Sequence, residues 1–357
     1  MKISALPAGE LDAGLVERWR ALQAGLPEFA NPYFSPHFTL AVASVRDDVF
    51  VGVLEDGGAV AGFLPFQKGR GRIGRPVGGP FSSYQGVVGA PGLEWTIAEL
   101  MRGCGLAVLE FTCMLTSQAQ FAPHHKVKTE SLIMDLAGGY AAYEKKRLEM
   151  GGSQLKRTYR NIRKLVREHP DYRFVRHVAS ADVLRRMIAW KSEQCRRLGT
   201  PDIFGNDWSP GLLEYVHATH LPDFGGILSA LYVGERMIAA EIDVQSPTVW
   251  HRWICAYDLE FARYSPGVVL GVEMAKVAAT EGVLQMDIGK EMTFYKESFM
   301  TSVVPIAEGY VETPSLVAGA RQARRGLEAW VRRSPFVEIA RIPGRWLTKL
   351  ERRRRFR

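Results

Sequence analysis

From residue 172 to residue 311 strand-like and helix-like segments alternate, and this constrains the fold more than any other feature of the chain. Segments 172–178, 227–233, 236–244 and 249–257 have the composition of strands. Ser246-Pro247-Thr248 turns the last two into an antiparallel hairpin. Segment 181–198 places Leu184, Met187, Ile188, Cys195 and Leu198 on one helical face, and segment 266–281 spaces Val268, Val272, Ala275 and Ala279 as a helix does. A short strand at 284–288, a helical turn at 295–300 and a last strand at 303–311 follow. The expected fold class is mixed α/β (α+β).

The 357 residues have room for about two domains. Before residue 138 the pattern is also mixed. Residues 49–54 and 60–66 flank Glu55-Asp56-Gly57-Gly58 as a hairpin. The stretch 69–92 is rich in Gly and Pro, 93–101 reads as a helix and 106–111 as a buried strand. Residues 140–169 form a basic helical region interrupted by Gly151-Gly152, where Ser153 is expected to cap the second half.

Charge is unevenly placed. The chain carries a net +8, yet residues 318–357 alone hold 13 Lys/Arg against 3 Glu, so the body is near neutral and composition gives no support to nucleic-acid binding. That tail, with Trp346 and Leu350 before Arg352, Arg353, Arg354 and Arg355, suits a peripheral contact with an anionic membrane, or is a plain basic terminus. The four cysteines show no metal-site spacing, so no metal is expected. Residues 1–4 lack a leader-like pattern and no run of about 18 apolar residues occurs, so the expected location is cytoplasmic, with the inner membrane surface as a peripheral site.

Several motifs carry chemistry. Gly69-Arg70-Gly71-Arg72-Ile73-Gly74 matches a dinucleotide fingerprint, but Arg75-Pro76 cannot open the helix it requires, so it reads as a loop. On strand 236–244, Glu241 and Asp243 share one face, either as a cleft wall holding a general base, an exposed face, or a salt bridge to Arg252. Ser265-Pro266-Gly267 opens a helix after a strand, with Ser265 as cap, and its first-turn amides suit a diphosphate. Asp287 ends a strand, Gly289 permits a sharp turn, and Tyr295 and Lys296 can donate to a developing negative charge. His251 reads as a packing or hydrogen-bonding group rather than a base.

An ordered set of segments resembles the CelD/BcsL-like branch of GNAT-type acyltransferases, tied to cellulose and exopolysaccharide biosynthesis and related to Fem-like aminoacyltransferases. The set is Asn31-Pro32-Tyr33-Phe34-Ser35-Pro36, Gly62-Phe63-Leu64-Pro65-Phe66, Phe81-Ser82-Ser83-Tyr84-Gln85-Gly86, Trp190 to Gly199, Ala256-Tyr257-Asp258, Ser265-Pro266-Gly267, and Asp287-Ile288-Gly289 with Lys296. It spans about residues 30–313. The family's D-F-G-R-G-D-E-P-Y-K turn is altered between Lys290 and Phe294, while Asp287, Tyr295 and Lys296 are kept.

The resemblance implies two tandem GNAT-like domains, each a mixed twisted sheet flanked by helices. Residues 1–138 would be the degenerate first domain, 139–170 a basic link, 171–317 the acyltransferase domain and 318–357 the tail. It implies acetyl-CoA or another acyl-CoA as donor and an amine or hydroxyl of a sugar or cell-envelope polysaccharide precursor as acceptor. Glu241 or Asp243 would take the proton, Lys296 would steady the oxyanion, and Tyr257 or Tyr295 would protonate the thiolate. Arg263, Ser265, Gly267, Val268 and Val269 would hold the donor. Tyr84, Arg157, Arg160, Lys191, Gln194 and Asp287 would face substrate. The alternatives are a non-catalytic scaffold of a polysaccharide system and an aminoacyl-tRNA-dependent transferase.

Overall fold

The computed structural model describes residues 1–290 and 294–333. The altered turn at Glu291, Met292 and Thr293, the Tyr295 side chain, and the tail expectations resting on Trp346, Leu350 and residues 352–355 lie outside the described parts.

In chain order the elements are β1 (Lys2–Pro7), α1 (Ala13–Ala24), α2 (Pro36–Ala43), β2 (Val49–Asp56), β3 (Ala59–Gly69), β4 (Ile73–Arg75), β5 (Val88–Gly89), α3 (Ile97–Gly103), β6 (Val108–Leu115), β7 (His125–Asp135), α4 (Gly139–Glu149), α5 (Ser153–Glu168), β8 (Tyr172–Val175), α6 (Ala181–Leu198), α7 (Ser209–Ala218), β9 (Gly225–Val233), β10 (Arg236–Gln245), β11 (Val249–Tyr257), α8 (Pro266–Thr280), β12 (Gln285–Asp287), α9 (Phe294–Glu297), β13 (Ser302–Glu312) and α10 (Leu316–Arg333).

The strands join in one sheet, in the order β1-β2-β3-β4-β6-β13-β7-β12-β11-β10-β9-β8, with β5 added to β3. The chain's last strand, β13, inserts between β6 and β7, and β12 pairs with β7. Early and late parts of the sequence are thereby hydrogen-bonded to each other at the centre.

Helices cover both faces. On one, Leu184 and Met187 of α6, Leu212 and Val216 of α7 and Phe38 of α2 pack with Ala240, Ile242 and Ala256. On the other, Tyr143 of α4, Leu155 and Leu165 of α5, and Val269 and Met274 of α8 pack with Ala239 and Trp250. Burying apolar surface at about 25 cal/mol per Å² makes these two layers the main stabilising term.

The late elements follow the expected spacing closely. Residues 181–198 and 249–257 are the helix and strand expected, and the hairpin turns at Ser246-Pro247-Thr248. The basic region breaks at Gly151-Gly152, but Gly152 occupies the cap position of α5 with no side-chain bond, so Ser153 is not a cap. α3 starts at Ile97 instead of 93, because Thr96 and Glu99 form a reciprocal capping box there. α10 starts at Leu316, two residues before the expected tail. Among the described residues, no helix is long and apolar enough to cross a membrane.

Candidate functional site at the parting of two strands

β11 and β12 run parallel for three pairs, Val249 with Gln285, Trp250 with Met286 and His251 with Asp287. β12 then ends, while β11 continues to Tyr257 with only β10 beside it among the described residues. Alternate N–H groups of β11 beyond His251 therefore face a gap instead of a ladder. Within this stretch the register with β10 slips, Ile242 opposing Ile254 and Asp243 opposing Arg252, so that Trp253 is bulged. A bulge re-aims side chains and interrupts pairing. The Trp253 indole N–H donates to the Phe81 carbonyl at 2.9 Å, tying the bulge to the first half of the chain.

The start of α8 lies beside the end of β11. A side chain on Gly267 would put its Cβ 3.0 Å from Cys255 Sγ and 3.5 Å from the Tyr257 ring. Ser265 is left-handed, at φ 53 and ψ 55, and makes no side-chain cap bond. Its role is thus a strained corner and not the expected cap, and such strain persists where surrounding structure imposes it. The expected amide cradle is also narrower. Val268 and Val269 donate to the Ser265 carbonyl at 2.9 and 3.1 Å, so of the three amides only that of Gly267 stays outside these bonds. Arg263 donates to the Tyr264 hydroxyl and Glu168, and Lys164 of α5 lies 5.7 Å from the Tyr264 ring centre, so α5 brings cations to the mouth of this turn.

Beneath α8 the expected pair of carboxylates is buried and unequal. The Arg252 guanidinium grips both oxygens of Glu241 and also donates to the Gly267 carbonyl at 3.2 Å. The salt-bridge alternative for Glu241 is therefore the one observed, and a carboxylate so paired is poorly placed to accept a proton. Asp243 is fully buried, and neither of its oxygens makes a well-formed hydrogen bond, although Glu241 and the Trp253 backbone lie beside it. Burial first, then the neighbouring Glu241 charge, push its carboxyl well above the ordinary range. Burial and Glu241 likewise raise the Cys255 thiol, so this cysteine at the gap is not an activated nucleophile.

The opposite face of β11 carries a polar node. Asp287 is fully buried and accepts from Tyr84 Oη (2.5 Å), Asn31 Nδ2 (3.3 Å), Ser131 Oγ (2.7 Å) and the Gly289 amide (2.8 Å). His251 Nδ1 lies 3.3 Å from its Oδ1. Burial alone would raise this carboxyl, but His251, Tyr84 and Ser131 outweigh it and hold it below its ordinary value. Burial and the Asp287 charge keep Tyr84 a neutral phenol, able to donate. Since these partners occupy the lone pairs of Asp287, the expected contact of Asp287 with substrate gives way to a positioning role. Gly289, at φ 83, supplies the left-handed turn that a side chain would resist, and the Lys296 amine lies 3.4 Å from where a Gly289 Cβ would stand. Lys290 is held by Glu308 at 2.8 Å and the Thr112 carbonyl at 3.2 Å.

Tyr257 is half-buried beside Gly267, and the Lys191 amine reaches the Cys255 carbonyl at 3.5 Å, so both border the gap. Gln194 is half-buried with its Oε1 unpartnered. Arg157 and Arg160 are exposed on α5. Sequence reasoning assigned no role to Asn31, Tyr33 or Ser131. Asn31 and Tyr33 stood inside a quoted segment, whereas Ser131 lies on β7, a strand whose alternation of Lys126, Lys128 and Glu130 with Val127, Thr129 and Ser131 went unread. Among the described residues no three His, Cys, Asp or Glu side chains group as a metal site.

Residues 152–297 match the acetyltransferase (GNAT) domain family. No curated protein matches the chain by sequence. Among solved structures, the C-terminal domain of an Agrobacterium fabrum protein assigned as a lysylphosphatidylglycerol synthetase is similar over 88% of this chain and 95% of its own, at 15% identity and a TM-score of 0.55. A Bacteroides thetaiotaomicron protein of unknown function aligns over 83% and 97%, at 10% identity and a TM-score of 0.54. A tandem GNAT protein from the clavulanic acid biosynthesis pathway aligns over 88% and 99%, at 12% identity and a TM-score of 0.50.

Proposed function

We infer that the chain, whose residues 152–297 match the GNAT acetyltransferase domain family and whose fold is like that of a tandem GNAT protein, is an acyltransferase. We propose that it transfers an acyl group, acetyl in the simplest case, from acyl-CoA to an amine or hydroxyl of a sugar or cell-envelope polysaccharide precursor by direct attack. The observation that carries this reading is the parting of β11 and β12 immediately beyond His251 and Asp287, with the start of α8 at its mouth. The residues present fit such a donor. Gly267 offers an amide outside the Ser265 bonds and no side chain, while Lys164 and Arg263 stand at Tyr264, just before that turn, for phosphate charge.

Unpaired amides of β11 between Arg252 and Tyr257 line a narrow slot where a thioester carbonyl can be polarised. Lys296, at the Gly289 turn, adds a cation for the oxyanion. Arg252 and Glu241 brace the slot by fixing α8 to β11. The raised Cys255 thiol speaks for attack by the acceptor itself and against an acyl-cysteine. The sugar acceptor rests on the family resemblance alone. A thioester-consumption assay with acetyl-CoA and a panel of amino sugars and polyols tests the reading. Lys296→Ala is expected to lower turnover by about 10²-fold. Turnover by the wild type too low to distinguish from the free acceptors would refute it, and tight acyl-CoA binding without transfer would favour a scaffold.

A second reading has a phosphate-rich donor such as an aminoacyl-tRNA, favoured by the exposed basic face of α5 beside the 259–264 turn. It predicts donor binding that weakens steeply with salt.

A further inference from the structure

His251 occupies the last paired position of β11 before the strands part, at the inner end of the gap. The residue is 3% exposed, and its Nδ1 faces Asp287 Oδ1 at 3.3 Å without a well-aligned hydrogen bond. Four further donors converge on that carboxylate and fix it in place. The Tyr33 ring meets the imidazole edge-on with centroids 4.9 Å apart. The Tyr33 hydroxyl, near Ser83, is buried and makes no well-formed hydrogen bond. At the end of a strand gap, an imidazole paired with a carboxylate stands beside a buried hydroxyl that makes no well-formed hydrogen bond, and this marks a place where a ligand's polar atom completes the set.

We propose that His251 is the catalytic proton acceptor for the incoming nucleophile, with Asp287 as its positioning partner. This rests on the acyltransferase reading and names the group that performs its proton transfer. A carboxylate 3.3 Å from Nδ1 favours the tautomer that carries its proton on that nitrogen, with the free lone pair on Nε2. As the acceptor's nitrogen or oxygen lone pair bonds to the thioester carbon, its proton passes to Nε2. The C–S bond then breaks with its electron pair on sulfur, and the imidazolium returns the proton to that thiolate, which restores neutral imidazole. The groups facing His251 are Asp287 from β12 and Tyr33 from the turn before α2, with Tyr84 and Ser131 behind Asp287; Arg252 and Asp243 lie on the other face of the sheet.

The test compares wild type, His251→Gln, His251→Asn and Asp287→Asn for acetyl transfer across pH, with acetyl-CoA affinity measured by calorimetry. His251→Gln is expected to lose about 10²–10⁴-fold in kcat, keep its acetyl-CoA affinity, lose the acidic limb of the pH profile and regain part of its rate with added imidazole. Retention of kcat within about fivefold, with the acidic limb intact, overturns the proposal. Nitrogen NMR of histidine-labelled wild type and Asp287→Asn decides the pair even where a His251 variant does not fold. The Nδ1–H tautomer in the wild type, relaxed in Asp287→Asn, supports it, and an Nε2–H tautomer in both overturns it. A wild type that transfers to no acceptor while showing the Nδ1–H tautomer refutes the acyltransferase reading but keeps the pair.

Discussion

The two faces of β11 bury acids in opposite ways. Under α8, Glu241 has a guanidinium and Asp243, two residues on, makes no well-formed hydrogen bond. On the other face, Asp287 collects four hydrogen bonds and an imidazole from four separate parts of the chain. Both acids are equally buried, yet Asp243 is pushed toward the neutral form and Asp287 toward the charged one. Neighbouring charge and donors, not burial, decide which form these two carboxyls keep. The difference also separates two tasks. One face clamps a helix, while the other joins Asn31, Tyr84 and Ser131 from the first 135 residues to the end of β12.

The comparison breaks most easily at Asp287. Asp287→Ala strands the Tyr84 hydroxyl, the Asn31 amide, the Ser131 hydroxyl and the Gly289 N–H in a dry interior. We expect a loss of about 3–5 kcal/mol, read by denaturant unfolding, together with loss of transfer. The pH sign follows from the depressed native value. The contribution is complete above the unfolded carboxyl's value, about 3.9, and is lost as pH falls through the native value below it. Asp287→Asn should therefore flatten stability in that acidic window.

Glu241→Gln tests the other face. Arg252, 12% exposed at its side chain, would lose the Glu241 charge and keep the Gly267 carbonyl. Destabilisation of about 3 kcal/mol is expected, with weaker donor binding as α8 loosens from β11; equal stability to wild type would show that the clamp contributes nothing.

Much of this frame was legible in the sequence, and the limits have physical causes. The late strands and α6 showed because period-2 and period-3.6 patterns survive in any element with one buried face. The convergence of Asn31, Tyr84 and Asp287 did not show, since a contact between residues more than 200 apart leaves no local pattern. Ser265 looks like a cap by residue type, but it closes the 259–264 turn in the left-handed region, its amide bonded to the Ala262 carbonyl. The sequence identifies His251 as a packing or hydrogen-bonding group but not its partner, because a lone histidine in an apolar strand has no signal until its neighbour across the parallel pair is known.

Gly271→Ala sharpens the account of the clamp. A Cβ there would stand 2.5 Å from the Arg252 guanidinium, so the helix or the arginine must move. About 1–3 kcal/mol is expected. An acetyl-CoA affinity that falls in step with stability would link the Arg252 clamp to the slot, and an unchanged affinity would uncouple them.

The smallest effect is the most telling about Asp243. Its native value is raised, so the neutral-carboxyl state is fully favourable below the unfolded value, about 3.9, and the stability it contributes is lost as pH climbs toward the native value. Asn is shaped like the protonated acid and can still donate toward Glu241, but it never ionises. Asp243→Asn should match wild type in thermal unfolding near pH 4 and exceed it near pH 7. If the variant is instead the less stable at pH 7, Asp243 is charged in the native protein, and the Arg252 guanidinium then serves both acids on that face while the contrast with Asp287 disappears.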